Sequence, residues 1–215
     1  MKFVWMLVLG AWSFPSLGSE LAFRDDFTNG LAPGWTWLRE DSKAWRATAH
    51  GLEVLIQPGN IWGPANNAKN VLSRPAPDPT NGDVEISVTV SNQPSGQYEQ
   101  VDLVWYYDDS NMVKIGEELV DGKLCVVMGR EENDKTRTIN IIPITSSSVQ
   151  LRLTVSGNRI RGHFQTSDMQ IWRVPGECDL PGHGTPKISL QCYQGLPNVE
   201  RWARLTSFQI KQAAK

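Results

Sequence analysis

The chain has 215 residues, a formal net charge of -2 and a pI of about 5.9. A balance this close to neutral excludes the basic surface that nucleic-acid binding requires, so nucleic acid is not an expected partner. The length after an N-terminal leader suffices for one well-buried core, and β-sandwiches of this size are commonly single domains. We therefore expect one domain over residues 19–215.

The N-terminus has the pattern of a signal peptide over residues 1–18. Lys2 supplies a positive charge, residues 3–12 form a short apolar run, and Ser16-Leu17-Gly18 suits cleavage before Ser19. The run is too short for a stable membrane anchor, and no later stretch reaches the ~20 apolar residues that a span needs. The sequence thus predicts a secreted or periplasmic protein that does not span a membrane. A buried N-terminal helix or strand is the alternative.

The rest of the chain alternates apolar and polar residues in short segments between turn residues, which predicts strands throughout. Residues 83–91 and 149–155 show this alternation most clearly, and residues 100–107 and 112–118 flank a polar turn that predicts a hairpin. Further strands are predicted at residues 22–27, 35–39, 44–47, 52–56, 123–129, 136–142, 159–166, 169–174, 187–192 and 203–211. This pattern, without useful helical periodicity, predicts an all-β fold built as a two-sheet sandwich or a barrel.

Three cysteines, an odd number, leave at least one unpaired within the chain. Cys178 and Cys192 flank a turn-rich segment and are the predicted disulfide, which an exported protein permits. Cys125 lies in an apolar run and is predicted to be a buried free thiol. The spacing fits no zinc motif, and His183 near Cys178 is interpreted as a coincidence, so no metal is predicted from these residues.

Residues 57–70 and 177–185 are the predicted long loops, where binding groups on a β scaffold concentrate. Seven of the nine tryptophans follow the predicted leader, and most of these seven are expected in the core. Trp62 is the exception, because it lies in the first loop beside Asn66 and Asn67. Aromatic faces pack on sugar rings and amides bond hydroxyls, so these three residues are predicted carbohydrate contacts. Trp37 and Arg39 join them because they share a strand face.

The two faces of the predicted hairpin differ in character. Val101, Leu103, Trp105, Val113 and Ile115 share one face and are assigned to the inter-sheet core. The second face is too polar for a core and too aromatic for an ordinary surface. It is formed by Gln100, Asp102, Val104, Tyr106, Lys114 and Glu118. One interpretation is the lining of an open sugar groove. The other is a cross-strand charge pair without a ligand.

Several segments resemble a known family, and they occur in the same order. They are Trp37-Leu38-Arg39-Glu40-Asp41, Gln57-Pro58-Gly59-Asn60-Ile61-Trp62-Gly63 and residues 66–72, 98–104 and 106–116. Together, within residues 27–137, they resemble the concanavalin A-like C-terminal domain of bacterial β-xylosidases. They also resemble stand-alone domains grouped with regulation-of-enolase-like proteins of unknown function.

The resemblance implies a jelly-roll sandwich of two curved antiparallel sheets, of the concanavalin A-like lectin/glucanase type. In the xylosidases this domain is an accessory that packs on a catalytic propeller and helps to close its active site. That role is not carried over, because this sequence contains no propeller. Some relatives bind structural calcium through loop oxygens. Asp25, Asp26 and Asp108 are available here, although their spacing is not that of an EF-hand loop.

The carboxylates raise the question of catalysis. A glycosidase needs two carboxyl groups flanking one bond, and laminarinase-like members of this fold carry them on one strand as Glu-x-Asp-x-Glu. That pattern is absent here. A hydrolase would need an unfamiliar pair, Glu99 or Glu118 with Glu117 or Asp102. The sequence therefore predicts an exported, non-catalytic module that binds or accompanies a polysaccharide or oligosaccharide. A glycoside hydrolase and a protein-interaction module with an exposed apolar face are the alternatives.

Overall fold

The computed structural model describes residues 19–182 and 184–213, so the predicted signal peptide and His183 lie outside the described residues. Within them the chain forms fifteen strands and one turn of 3-10 helix at Pro79–Asn81. The strands are β1 (Ser19–Asp25), β2 (Thr36–Leu38), β3 (Trp45–Thr48), β4 (Gly51–Leu55), β5 (Val71–Pro75), β6 (Val84–Ser91), β7 (Gln100–Asp108), β8 (Asn111–Val120), β9 (Lys123–Glu132), β10 (Lys135–Pro143), β11 (Ser148–Ser156), β12 (Arg159–Thr166), β13 (Arg173–Asp179), β14 (Lys187–Tyr193) and β15 (Trp202–Ala213). The predicted all-β class is confirmed.

The strands build two antiparallel sheets that pack face to face as a sandwich. The first sheet has the order β13-β12-β11-β6-β15-β4-β3, with β1 also paired to β15. The second has the order β10-β9-β8-β7-β14-β5-β2. Many neighbours, such as β6 with β15 and β7 with β14, are far apart in sequence, so the chain crosses repeatedly between the sheets. The sandwich is confirmed and the barrel alternative is not.

The period-two alternation places the core between the sheets. Val84, Ile86, Val88 and Val90 of β6 are fully buried, and the register sets them opposite the apolar residues of β11. The inward residues of the β7–β8 hairpin join the same cluster, as predicted, namely Val101, Leu103, Trp105, Val113 and Ile115. The other side of each hairpin strand points away from this core, and that side forms the candidate site.

Two element predictions were wrong. Residues 169–172 form no strand and include a bend at residues 170–171, and β13 starts only at Arg173 and runs into the predicted loop at residues 177–185. β5 was not predicted, because Val71, Leu72 and Ser73 are all buried and the segment shows no alternation. Such a pattern arises when both faces of a strand are covered. Here the inter-sheet core covers one face of β5, and the loop at residues 57–70 covers the other.

The predicted disulfide between Cys178 and Cys192 was also wrong. Both cysteines are free and buried. Cys178 lies on β13 at the edge of the first sheet, whereas Cys192 lies on β14 within the second sheet. The short segment between them crosses from one sheet to the other, so closeness in sequence does not bring the sulfurs together. Burial raises the pKa of Cys178 to about 11, so this thiol stays protonated at neutral pH. Cys125 is a buried free thiol, as predicted.

Candidate functional site

The candidate site lies on the outer face of the second sheet. Register sets Gln100 opposite Glu118 and Val104 opposite Lys114, so the predicted second face of the hairpin is confirmed. Its expected openness was wrong, because Asp102 is 0% exposed, Lys114 2% and Tyr106 4%. These side chains are buried outside the inter-sheet core. What buries them is the loop at residues 57–70, hereafter the cover loop.

The cover loop folds back across the outer face and packs there as a second apolar cluster. Ile61 and Ala68 of the loop lie against residues of four strands, Val71, Val104, Tyr106, Met112 and Tyr193. The Gly63 N–H donates to both carboxylate oxygens of Glu131, at 3.0 and 3.1 Å. Burial raises the pKa of Glu131 to about 7, against the lowering effect of this hydrogen bond. The loop is therefore a packed element of the fold. Its apolar residues Ile61 and Ala68 were the sequence signal from which this packing could have been predicted.

Arg39 and Tyr106, both predicted sugar contacts, instead anchor the turn of the hairpin to the loop. Arg39 has a φ of 54°, which ends β2 and turns its side chain away from the face of Trp37. Arg39 donates from Nη1 to Asp109 Oδ2 and from Nε to the Ala68 carbonyl, each at 2.5 Å. The Tyr106 hydroxyl donates to Asp109 Oδ1 at 2.7 Å. Burial, followed by this hydrogen bond, raises the pKa of Tyr106.

Replacing Tyr106 with phenylalanine removes one of these bonds without opening a cavity. We expect the free energy of unfolding to fall by about 1.5–3 kcal/mol, the value of one hydrogen bond to a charged group. Chemical denaturation measures it, with Tyr107→Phe at the half-buried neighbouring residue as the matched control. An equal effect in the two variants would show that the contact with Asp109 contributes nothing.

Three further predicted contacts are also placed in internal interactions. Trp37 pairs with Leu72 across β2 and β5 and packs on the inter-sheet core, with its ring 5.0 Å from that of Trp45. Asn67 Oδ1 accepts from the Asn60 N–H at 2.8 Å. Asn66, with its amide oriented to suit its neighbours, donates to the Gly63 and Asp109 carbonyls at 3.2 Å. The structure thus gives Trp37 a core position and the two asparagines a role in shaping the cover loop.

An open depression of about 490 Å³ remains beside the cover loop. Four predicted residues line it, namely Trp62, Gln100, Lys114 and Glu118. The Trp62 ring lies against Gly129, where a Cβ atom would come within 2.6 Å of the ring. Sequence reasoning missed the remaining walls, which come from several strands and connections: Tyr98, Val120, Asp121, Val127, Thr138, Ile141 and Gln194. Only strand pairing brings these residues together.

Lys114 is the electrostatic centre of the depression. Its Nζ donates to Gln100 Oε1, to Glu118 Oε2 at 3.3 Å and to Asp102 Oδ2 at 3.4 Å. Its Nζ also lies 4.9 Å from the centre of the Trp62 ring. Burial by itself lowers the pKa of Lys114, but Asp102 and Glu118 outweigh it and the pKa is raised. The ammonium is therefore charged, and its three donors are all directed at protein acceptors.

Asp102 lies beneath this cluster. Burial raises its pKa to about 6, although the Lys114 charge opposes the rise. Gly116 lies opposite Asp102, and a Cβ atom there would be 1.7 Å from Asp102 Oδ1, so glycine makes room for the carboxylate. Neither Asp102 Oδ1 nor the Tyr193 hydroxyl has a partner in good hydrogen-bond geometry, although the two groups affect each other's pKa. Asp102 therefore depends on the Lys114 ammonium, 3.4 Å from its Oδ2, for its stabilising charge.

The carboxylates considered for hydrolysis fall into two groups. Asp102 and Glu118 share Lys114 on the outer face. Glu117 points inward, is 0% exposed and has no hydrogen-bond partner for either oxygen. Burial, with a smaller contribution from Glu99, raises the pKa of Glu117 to about 9. Glu99 belongs with Glu117, since its charge contributes to this raised pKa, and it is 1% exposed. The pairs Glu99 with Asp102 and Glu118 with Glu117 are thus separated by the sheet, and the pair Glu99 with Glu117 is buried.

The carboxylates considered as calcium ligands, those of Asp25, Asp26 and Asp108, are bonded to other groups of this chain. Asp25 accepts from the Phe27 N–H at 2.8 Å, the Ala32 N–H at 2.9 Å and the Trp35 indole at 3.0 Å. Asp26 pairs with Arg24, and Asp108 accepts from the turn that joins β7 to β8. Across residues 19–182 and 184–213, no group of three or more potential metal ligands converges.

The two-sheet architecture and the covered outer face define a concanavalin A-like β-sandwich. Residues 24–187 match the family model of the β-xylosidase C-terminal concanavalin A-like domain. The match covers most of the chain, so this protein belongs to that family. A comparison with curated protein sequences finds no significant match. In the described part of the chain, no helix has both the length and the apolar character to cross a bilayer.

Solved structures share this fold at low sequence identity. A GH43 protein from Bacillus licheniformis matches with a TM-score of 0.77 and 17% identity. The xylan β-1,4-xylosidase from Bacillus halodurans matches with a TM-score of 0.75 and 16% identity. Each match covers 88% of this chain and 39% of the solved chain, so this chain spans well under half of either protein. A functionally unknown protein from Saccharomyces cerevisiae matches over 85% of this chain and 98% of its own, with a TM-score of 0.65 and 15% identity.

Proposed function

We propose that this chain is an exported, non-catalytic domain that contacts carbohydrate, and that the depression beside Trp62 receives a sugar residue. One observation carries the proposal: an aromatic ring and a hydrogen-bonding cluster border the same open depression. A sugar ring has an apolar face that packs on an indole and a rim of hydroxyls that needs donors and acceptors. The volume also falls within the range of roughly 300–1,000 Å³ typical of small-molecule sites.

The residues that line the depression have different roles in sugar binding. The Lys114 ammonium donates hydrogen bonds to Gln100, Asp102 and Glu118, so it orients these three acceptors. Glu118 keeps 10% of its side chain exposed at the depression and is the acceptor for sugar hydroxyls. Trp62, half-buried in the cover loop, supplies the ring face. Because relatives of the same fold are named as xylosidases, neutral xylo-oligosaccharides are the first ligands to test.

The positions of the carboxylates support a non-catalytic role. Hydrolysis requires two carboxyl groups to reach one glycosidic bond from either side. Asp102 and Glu118 instead share one ammonium, and Asp102 is fully buried beneath it. Sugar release from a polysaccharide panel, abolished by Glu118→Gln, would contradict this part of the proposal. Export rests on the predicted leader, and the mass of the secreted protein tests for an N-terminus at Ser19.

The exposed apolar side chains do not favour the protein-interaction alternative. Large ones are spread over β1, β2, β10, β13 and the connections before β13 and β15, with Leu21, Leu38, Ile141, Ile171, Val174, Leu196 and Val199 as examples. A docking face requires such residues to be contiguous. Ile141 itself lines the depression beside Trp62. The aromatic and polar depression is the better-defined feature.

Trp62→Ala should weaken binding of a neutral xylo-oligosaccharide at least about tenfold, equivalent to about 1.4 kcal/mol. The physical reason is the loss of the ring face against which the sugar packs. Isothermal titration calorimetry measures the change. Trp172→Ala is the matched control, because Trp172 also packs against a cation, Arg152 at 3.7 Å, but does not line the depression. Equal affinity in the two variants, or a parent protein that binds no glycan on an array, would refute the proposal.

A further inference from the structure

A second depression, of about 330 Å³, lies on the first sheet where β6 ends and β15 begins. It shares no lining residue with the depression beside Trp62. Its lining includes Ser91, Asn92, Ser147, Arg201 and Trp202. These residues come from three separate parts of the chain and combine an amide, a guanidinium, hydroxyls and an indole.

Contacts within the protein hold the Arg201 side chain in one orientation at this depression before any ligand binds. Its Nε lies 3.3 Å from Oε1 of Glu99, which is 1% exposed. Its Nη1 donates to the Gln93 carbonyl and its Nη2 to Ser95 Oγ at 2.8 Å. A guanidinium has five N–H donors, and only the Nη1 and Nη2 contacts have hydrogen-bond geometry, since the buried Nε lies near Glu99 without forming such a bond. One N–H on each terminal nitrogen therefore remains for a ligand. A donor group held in this way loses little conformational freedom when a ligand binds.

Asn92 is the unusual residue of this depression. It is 3% exposed, and neither its side-chain oxygen nor its nitrogen has a hydrogen-bond partner. Its backbone N–H donates to the Ser147 carbonyl at 3.0 Å, which holds the residue in place. An unpaired buried amide costs about 1–3 kcal/mol, so a native structure that keeps one calls for an explanation. Adjacent hydroxyls of a ligand, each able to donate and accept, match both halves of the amide.

Trp202 forms the aromatic border. Ala203 and Leu205 of β15 point into the core, so Trp202 and Arg204 point outward. The Trp202 indole donates to Glu200 at 2.7 Å, and Arg46 lies 4.1 Å from the ring centre. This ring therefore has a fixed orientation beside the amide and the guanidinium.

The charges at the depression indicate the class of ligand. Arg201 is paired with Glu99, Arg204 is paired with Glu53 at 3.1 Å, and Glu200 adds a further carboxylate. Glu53 also pairs with Arg46, at 2.8 Å, so the three carboxylates together balance three guanidinium groups and leave no excess positive charge for a phosphate or a carboxylate. Hydroxyl groups, in contrast, are bound by the remaining N–H donors and by the Asn92 amide.

We infer that this depression is a second ligand site, distinct from the one beside Trp62, for a neutral hydroxyl-rich ligand such as a sugar or polyol. Two sites on the two sheets would let one domain hold two segments of a polysaccharide. The gain in apparent affinity would come from linkage between them.

The test is an NMR titration of the 15N-labelled protein, with the indole N–H signals of Trp62 and Trp202 as separate reporters. The probes are a neutral xylo-oligosaccharide, a cello-oligosaccharide and glycerol, with glucuronic acid as the charged comparison. The inference expects a saturable shift of the Trp202 signal with at least one neutral probe and none with glucuronic acid. No saturable shift, or a shift with glucuronic acid alone, would overturn it. A Trp202 shift without a Trp62 shift would uphold this site and refute the proposed function.

Asn92→Leu is the decisive variant, because it removes the unpaired amide at similar volume. It should weaken binding at Trp202 at least about tenfold and leave the Trp62 shift unchanged, while the thermal unfolding midpoint stays the same or rises because an unpaired buried amide is removed. An unchanged Trp202 shift in Asn92→Leu would overturn the inference. Trp202→Leu supplies an independent readout by calorimetry, where the number of bound ligands should fall from two to one. An undiminished stoichiometry there would also overturn it.

Discussion

Replacing Lys114 with methionine is expected to lower the free energy of unfolding by about 3–5 kcal/mol. Methionine keeps a long apolar side chain but removes the ammonium that Asp102 and Glu118 share, at 3.4 and 3.3 Å. Asp102 is 0% exposed, so its carboxylate would be left buried without a countercharge. Guanidinium denaturation followed by tryptophan fluorescence measures the loss.

Two controls separate charge from packing in this experiment. Lys123→Met, at an exposed position of β9, should change stability by no more than about 0.5 kcal/mol. Adding Asp102→Asn and Glu118→Gln to Lys114→Met removes every charge of the cluster and should recover most of the loss. A Lys114→Met variant as stable as Lys123→Met would show that the buried cluster does not depend on its cation.

Stability is also expected to fall as the pH rises from about 4.5 towards 9. In this window the folded state keeps a proton on Glu117, whose pKa is raised from 4.5 to about 9, while the unfolded chain has released it. The folded state then binds more protons, so raising the pH favours unfolding, by up to about 1.4 kcal/mol per pH unit for one group. Asp102 and Glu131 also keep their protons to higher pH in the folded state. They therefore add to the loss of stability with rising pH, up to their own raised pKa values of about 6 and 7.

Glu117→Gln isolates the contribution of that residue. Glutamine is neutral and of similar shape, so above pH 7 most of the slope should disappear, whereas the slope below pH 6 should persist through Asp102 and Glu131. Unfolding free energies over a pH series measure both limbs. Glu20→Gln, at an exposed position of β1, should leave the profile unchanged. Coincident profiles of the parent and Glu117→Gln above pH 7 would contradict the assignment.

The depression beside Trp62 was only half predictable. Lys114 and Glu118 could be placed on the same face as Gln100, because a period of two is a local property of any strand. Trp62 could be singled out because it lies in a loop rich in glycine, proline and asparagine. Tyr98, Thr138 and Gln194 carry no such local signal, and they reach the depression only through pairing between distant strands.

The failed predictions share one physical cause. Cys178 and Cys192 are near in sequence but belong to different sheets. Trp37 packs on the inter-sheet core, whereas Arg39 leaves the strand with a positive φ and contacts the cover loop. Tyr106 lies on the predicted face, yet that face is sealed by the cover loop. In each case the prediction used only residues that are close in sequence, and a segment distant in sequence determined where the side chain lies.

Alternating residues thus determined, from the sequence by itself, the all-β class, the inward face of the β7–β8 hairpin and the polar character of its outer face. These follow from the chain's own geometry, since successive side chains of a strand point to opposite sides. The tertiary structure alone decided which part of the outer face stays open. That outcome depends on where residues 57–70 come to rest, and packing against β7, β8 and β14 determines it.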